Sequence, residues 1–499
     1  MRRRSMIMPA AVVFCLAVLA GPAASAAAAA PATAGRALLS GTWGKAQAVP
    51  GIASLNVGRR AAVNSVSCTS AGNCVAGGAY ASGITGRTTP LNQAFVVTQS
   101  DGLWGTAEEV PGTADLNTGQ SAQVASVSCP APGECSAGGF YTDSAGNLQA
   151  FVVTEANGTW GTAEEVPGTA SLNATRPGAE VTSVSCGAVG NCAAGGFYTE
   201  ASGNRQAFVA TEKNGTWGTA HVVRGTLGLN VGGFAQINSV SCASFGNCSA
   251  GGLYSSAVVD GVTTDQAFVV NETGGTWGKA VEVPGTAALN RGGFAQVSSV
   301  SCASAGNCSA GGSYTSNKPA TQAFVVNESN GTWHTAKEVP GTGALNALGF
   351  AQVSSVSCPT AGRCSAAGFY QDASFRSQVF VVNETGGTWD SAQQVPGTGT
   401  LNVGTPGAVP NSLSCGAPGD CSAVGSYSDA SNTQQAFVVS ESGGTWGSAE
   451  EVPGITTFKN QTGGVTNSVS CPSAGNCTAG GSYATLKHAQ SFVVSQTAP

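Results

Sequence analysis

The sequence predicts an all-β protein, an eight-bladed β-propeller of four-stranded antiparallel blades, and three observations carry that expectation. First, one motif recurs along the chain: Ser-Val-Ser-Cys, a five-residue gap, Cys, Ala-Gly-Gly-x-Tyr, Gln-Ala-Phe-Val-Val, Gly-Thr-Trp. With local variations it takes up all eight tryptophans and all eight tyrosines. Second, its first cysteine steps from Cys68 to Cys471 in seven intervals, a period of about 58 residues, in the range of propeller and solenoid arrays. Third, the repeat is split between the two ends. Gly41-Thr42-Trp43 to Val49-Pro50 is a lone fourth strand, and Gln490 to Val494 is a third strand that lacks one. Pairing Thr42–Val49 with Ser491–Val494 would complete the last blade and leave no open sheet edge.

The unit around Cys302 shows how one blade arises. Val297 to Cys302 alternates in the strand manner, Val300 and Cys302 on one face, Ser299 and Ser301 on the other; this is strand A. Ala303-Ser304-Ala305-Gly306-Asn307 is turn chemistry, so strand B, from Cys308 to Tyr314, forms a hairpin with it. Strand C, Gln322 to Val326, is apolar on both faces, which suits a strand covered on both sides. Asn330-Gly331 supplies a tight turn, and Trp333 to Val339 returns as strand D, ended by Pro340-Gly341.

The ends and the composition set the compartment. Arg2, Arg3 and Arg4, an apolar stretch from Ile7 to Ala20, and Ala24-Ser25-Ala26 have the layout of a signal peptide. The expected organisation is a signal peptide at 1–26, an Ala-rich linker at 27–39 and the propeller at 40–496. Loss of the leader would take the formal charge from −6 to about −9 and remove Cys15, leaving sixteen cysteines. With 9% charged residues and no basic run, the chain is a poor partner for nucleic acid. No second apolar span follows the leader, so release from the cell, without a membrane anchor, is expected.

In an exported protein the paired cysteines read as hairpin disulfides: Cys68–Cys74, Cys129–Cys135, Cys186–Cys192, Cys242–Cys248, Cys302–Cys308, Cys358–Cys364, Cys415–Cys421 and Cys471–Cys477. The five-residue gap is longer than zinc sites or redox motifs favour, and the three histidines share no spacing. Neither a metal nor a cofactor is expected.

The segment Thr154-Glu155-Ala156-Asn157-Gly158-Thr159-Trp160 resembles a shortened Asp-box, the Ser-x-Asp-x-Gly-x-Thr-Trp hairpin of sialidase-type, BNR-like propellers. The gap from Gly to Trp is one residue shorter, and Glu, Asn or Gly often stands where Asp would. The whole repeat also resembles repeat proteins common among secreted actinomycete proteins, across nearly all of the mature chain. That resemblance implies a fold and a compartment and is silent on activity. A sialidase of the wider class would carry a Phe-Arg-Ile-Pro motif, three carboxylate-gripping arginines and a Tyr–Glu nucleophile. No Phe-Arg-Ile-Pro occurs here, and every tyrosine is repeat-equivalent.

A residue repeated eight times is spread around a ring, whereas a catalytic site gathers unlike groups at one point. The repeated glutamines, from Gln93 to Gln490, and the tryptophans therefore read as structure. Asn-x-Ser/Thr sequons such as Asn157-Gly158-Thr159 are explained by turn composition. Function is expected where repeats diverge, on the face carrying the variable B–C loops and the long D-to-A crossovers. Candidate ligand-binding residues there are Arg59, Arg60, Arg176 and Arg291, and Phe234, Phe294 and Phe350 at one position of three consecutive crossovers. The expected protein is a secreted, monomeric, non-catalytic binding or scaffold module, its partner an extracellular glycan, cell-wall polymer or protein. The rival readings are a carbohydrate-active hydrolase or lyase on the same scaffold and a purely structural extracellular component.

Overall fold

The computed structural model describes residues 41–85, 89–173, 178–259, 262–317 and 320–498; the leader, the linker and Arg176 lie outside them. The described residues form eight antiparallel sheets, each in the order A-B-C-D. Blade 1 comprises Ala61–Ser70, Asn73–Thr85, Thr89–Ser100 and a strand D in two pieces, Leu103–Trp104 and Glu108–Glu109. Strand A of blades 2 to 8 is Gln123–Ala131, Glu180–Ala188, Ala235–Ser244, Ala295–Ser304, Ala351–Thr360, Val409–Ala417 and Gln461–Ser473.

The two termini share blade 8 as the sequence predicts. Thr42 pairs with Thr497 and Trp43 with Gln496, and further along Gln47 pairs with Val493 and Ala48 with Phe492. The hydroxyls of the Ser-Val-Ser-Cys motif close the ring. Val127 N–H donates to Ser65 Oγ (3.1 Å) and Cys129 N–H to Ser67 Oγ (3.0 Å), blade 2 to blade 1. The same two bonds recur at every seam and end where Val66 and Cys68 of blade 1 donate to Ser468 and Ser470 of blade 8, both at 3.0 Å. Backbone donors on the innermost strands are thereby satisfied by side chains, which holds strands too splayed for a backbone ladder.

The Gly-Gly pair of strand B follows from the same close approach. A Cβ on Gly77 would stand 2.7 Å from Val124 Cγ1 of blade 2, and one on Gly78 would stand 2.0 Å from the Ala62 carbonyl oxygen. Between blades, each core joins the strand C phenylalanine and the tryptophan of one blade to apolar residues of the preceding blade; Phe208 and Trp217 lie with Val152 and Val166.

Two features differ from the sequence expectation. Strand D is interrupted instead of continuous, and the crossover begins with a helical turn, as at Thr113–Leu116. Thr113 Oγ1 donates to Val110 O (2.7 Å), and Ala163 N–H donates to Pro111 O (2.7 Å), so the turn ties blade 1 to strand D of blade 2. Gly112, at φ 83°, makes the corner in a conformation that disfavours a side chain. No described helix is long and apolar enough to cross a membrane.

Candidate functional site

The molecule has two unlike faces. On one, the A–B and C–D turns of blades 1 to 7 join directly, as where Gly102 N–H donates to Gly72 O (2.9 Å), and all eight disulfides staple the A–B hairpins. The other face holds the B–C loops and crossovers. There the asparagine of the Leu-Asn mark grips the preceding blade: Asn117 Nδ2 donates to Gln93 Oε1 and to Asn92 O, both at 2.9 Å. At the ring closure Asn56 does the same to Gln490 (3.1 Å) and Ala489 O (3.0 Å). In blade 8, where the crossover lacks the Leu-Asn mark, Gln461 donates to Gln435 instead (3.0 Å). The repeated glutamines are thus part of the frame.

The arginines named from the sequence do not converge. Arg59 and Arg60 are exposed on the crossover of blade 1, and Arg291 is exposed on that of blade 5, across the ring. The three phenylalanines stand on successive blades in different settings. Phe234 faces Arg205, whose guanidinium carbon lies 4.8 Å from its ring centroid and 3.8 Å from that of Phe197. Arg205 also donates to Gln236 Oε1 (3.0 Å), and burial together with nearby Glu180 defines its surroundings. Phe294 is half-buried. Phe350, 42% exposed, packs against Phe369 with the rings tilted by 30° and their centroids 5.6 Å apart.

Blade 6 carries a further aromatic that sequence reading missed. Among the fully described B–C loops, four share one five-residue form, Asp143–Asn147, Glu200–Asn204, Asp372–Arg376 and Asp429–Thr433, closed by the first N–H donating to the last carbonyl at 2.8–3.0 Å. The fourth position has positive φ and holds Gly146, Gly203, Phe375 and Asn432. Phenylalanine in that conformation is uncommon and strained. Phe375 sits at φ 63° and is 68% exposed. Asp372 imposes it, accepting from the Ser374 and Arg376 N–H groups (2.8 and 3.1 Å) and from Gln378 Nε2 (2.9 Å). Gln371 joins the two exposed rings, its backbone N–H donating to Phe350 O (2.8 Å) and its side chain to Phe375 O (3.4 Å). Aligning the four loops and noticing a phenylalanine among Gly and Asn is the signal that would have found it. Other exposed apolar side chains on this face are Val57, Val231, Leu348 and Val403.

Acidic groups are arranged differently. Glu155, Glu212, Glu272, Glu328, Glu384 and Glu441 occupy one position of strand C in six blades, each buried in its own seam. Burial pushes all six carboxyls up, Glu155 to about 7. The blade tyrosines meet carboxylates of strand D: Tyr254 donates to Glu282 (2.8 Å), Tyr314 to Glu338 (2.9 Å), Tyr141 to Glu165 (3.1 Å), and Tyr80 to Glu109. Burial and the adjacent carboxylates raise these hydroxyls far above their ordinary range, the reverse of what activates a nucleophile. Among the described residues no cluster of three or more His, Cys, Asp or Glu could hold a metal ion.

No family model matches the chain, and no curated protein matches it. Solved structures resemble it weakly. A polysaccharide lyase described as an ulvan lyase is 10% identical over 72% of this chain and 89% of its own, with a TM-score of 0.40. Trypanosoma rangeli sialidase is 11% identical over 68% and 56%, at 0.35, and the fucose-specific lectin of Aleuria aurantia is 12% identical over 67% and 96%, at 0.33. At such identities and scores the likeness carries no functional information.

Proposed function

We propose that this is a secreted, non-catalytic binding propeller that holds an extracellular glycan or cell-wall polymer on its variable-loop face. The observation that carries the reading is Phe375, an exposed phenylalanine kept in a strained backbone slot and tied through Gln371 to the Phe350–Phe369 ring pair. Strain retained at an exposed aromatic points to use, because a glycine there would fold at lower cost. Flat aromatic rings match the C–H faces of sugars, while Arg291 and Phe294 on the crossover of blade 5 and Phe234 on that of blade 4 would extend the contact along a polymer. Eight hairpin disulfides suit an oxidising compartment. The buried, separately seated carboxylates and high-pKa tyrosines favour binding over hydrolysis.

The test is a screen of the mature protein against soluble glycans and cell-wall polymers, repeated with Phe375→Gly and Phe350→Ala. Phe375→Gly keeps the positive φ, so it removes the ring without harming the loop. Binding at least tenfold weaker in either variant supports the reading, and unchanged binding in both overturns it.

A further inference from the structure

We infer that the ring closure, where blade 8 meets blade 1, carries a second binding site on the variable-loop face, for the oxyanion groups of an acidic polysaccharide. The site stands apart from the aromatic patch of blade 6 and rests on the glycan-binding reading for the class of its partner.

The chain segregates its charge. All 26 Asp and Glu residues fall from Asp101 to Glu451, while Lys45, Arg59, Arg60, Arg87, Lys459 and Lys487 lie outside that stretch within the propeller. Folding joins the two acid-free ends, because Thr42–Trp43 and Gln47–Ala48 pair with the last strand, Ala489–Thr497. Blade 8 and strands A to C of blade 1 therefore form a sector with cations and no carboxylate, in a protein whose net charge is negative. The strand D carboxylate is missing from blade 8 as well. Glu109, which receives Tyr80, stands opposite Phe95, whereas Ala48 stands opposite Phe492.

The backbone brings four of the cations together around the B–C loop of blade 8. Thr485 N–H donates to His488 O (2.6 Å) to close that loop, with Leu486 and Lys487 exposed at its tip. On one side Thr485 pairs with Gln461, whose N–H donates to Phe458 O (3.1 Å) and closes the turn that exposes Lys459. On the other side Ala489 N–H donates to Arg59 O (2.9 Å), and Arg60 follows. Among the described residues the one ion pair joins Arg376 to Asp372, so Arg59, Arg60, Lys459 and Lys487 are exposed without a carboxylate partner.

The two arginines occupy slots that other blades fill differently. Four residues after the clamp asparagine, blades 4, 5 and 6 hold Phe234, Phe294 and Phe350, and blade 1 holds Arg60. The slot before it has positive φ. Glycine takes it in those three blades (Gly233, Gly293, Gly349) and Gln120 in blade 2, whereas blade 1 keeps Arg59 at φ 70°. An exposed arginine held where glycine folds at lower cost points to use. Guanidinium forks match the paired oxygens of carboxylates and similar oxyanions, and the lysines beyond them suit charges repeated along a chain. Exposed Val57 and Leu486 offer contact to sugar C–H faces between those charges, and two aliphatic side chains give little hold on a bilayer.

The test is calorimetric titration of the mature protein with polygalacturonate and with chondroitin sulfate, against dextran and phosphatidylglycerol vesicles as controls. At least one acidic polymer is expected to bind in about 50 mM NaCl, and at least tenfold more weakly in about 300 mM, because salt screens exposed charges. Arg59→Gly with Arg60→Ser installs the residues that blades 4 and 2 carry in these slots, Gly233 and Ser121. It is expected to keep the melting profile and to bind at least tenfold more weakly. Lys459→Asn with Lys487→Gln, on the other side of the closure, carries the same expectation. Lys213→Gln with Lys279→Gln removes an equal charge elsewhere and is expected to bind as wild type. No binding of either acidic polymer, equal binding of dextran, equal loss in the arginine pair and the Lys213, Lys279 pair, or tighter binding of the vesicles overturns the proposal. Binding lost with the arginines and kept in Phe350→Ala, Phe375→Gly would sink the blade 6 reading alone, and binding lost with the phenylalanines and kept without the arginines would sink this one alone.

Discussion

Ser65 Oγ accepts the N–H of Val127 from the next blade at 3.1 Å, and this contact, repeated by its equivalents, makes strand A a belt around the ring. Removing an acceptor strands a partly buried backbone donor, at a cost of about 1–3 kcal/mol. Ser65→Ala combined with Ser67→Ala should lower the denaturant midpoint clearly, measured by chemical unfolding. An unchanged midpoint would mean that packing alone joins the blades.

The terminal latch makes a second expectation. Trp43, near the start of the propeller, is buried in blade 8 with its Nε1 donating to Ser440 Oγ at 3.0 Å. Trp43→Ala should cost about 3–5 kcal/mol, as Trp217→Ala should in mid-chain. A loss below about 1 kcal/mol, small for any buried aromatic, would show that the terminal strand does not close the ring in solution.

Stability should peak in mild acid. The seam carboxyls have folded pKa values raised by burial, so folding binds protons: their contribution is full below the unfolded carboxyl range and lost as pH rises, through about 7 for Glu155. Asp429 is lowered, chiefly by the hydrogen bond from Gln435, and contributes in the opposite sense, losing stability only as pH falls toward strong acid. Melting temperature should therefore fall between pH 5.5 and 8, and fall less in Glu155→Gln. A melting temperature that rises across this interval contradicts the sign.

Each hairpin disulfide closes a short loop, and the chain-entropy relation gives about 2 kcal/mol apiece. Cys302→Ala with Cys308→Ala should lose about that much and stay folded, since seven staples remain. Global unfolding of this double variant would mean that the staples hold the blades cooperatively.

The architecture was legible because a propeller repeats its packing demands. Ser-Val-Ser-Cys, Gly-Gly and the Leu-Asn mark recur since most seams use the same hydroxyls, the same bare backbone and the same amide clamp, with Ala367 and Val424 in place of the first glycine in blades 6 and 7 and Gln461 in place of the clamp in blade 8. What escaped the sequence depends on contacts between units far apart in number. The partner of Glu212 is Ser136, and nothing local to either announces the other. Arg205 was overlooked because its meaning lies in Phe197 and Phe234, and Phe375 because an uncommon residue shows only when four loops are aligned by their conformation.

The central claim is that function lies where the repeats diverge, on the variable-loop face. The most direct measurement is calorimetric titration of the polymer that binds best in the screen into the wild-type mature protein and into the Phe350→Ala, Phe375→Gly double variant. An affinity loss of at least tenfold, about 1.4 kcal/mol, with an unchanged melting profile is the expected result. Equal affinity in a folded double variant would contradict the account.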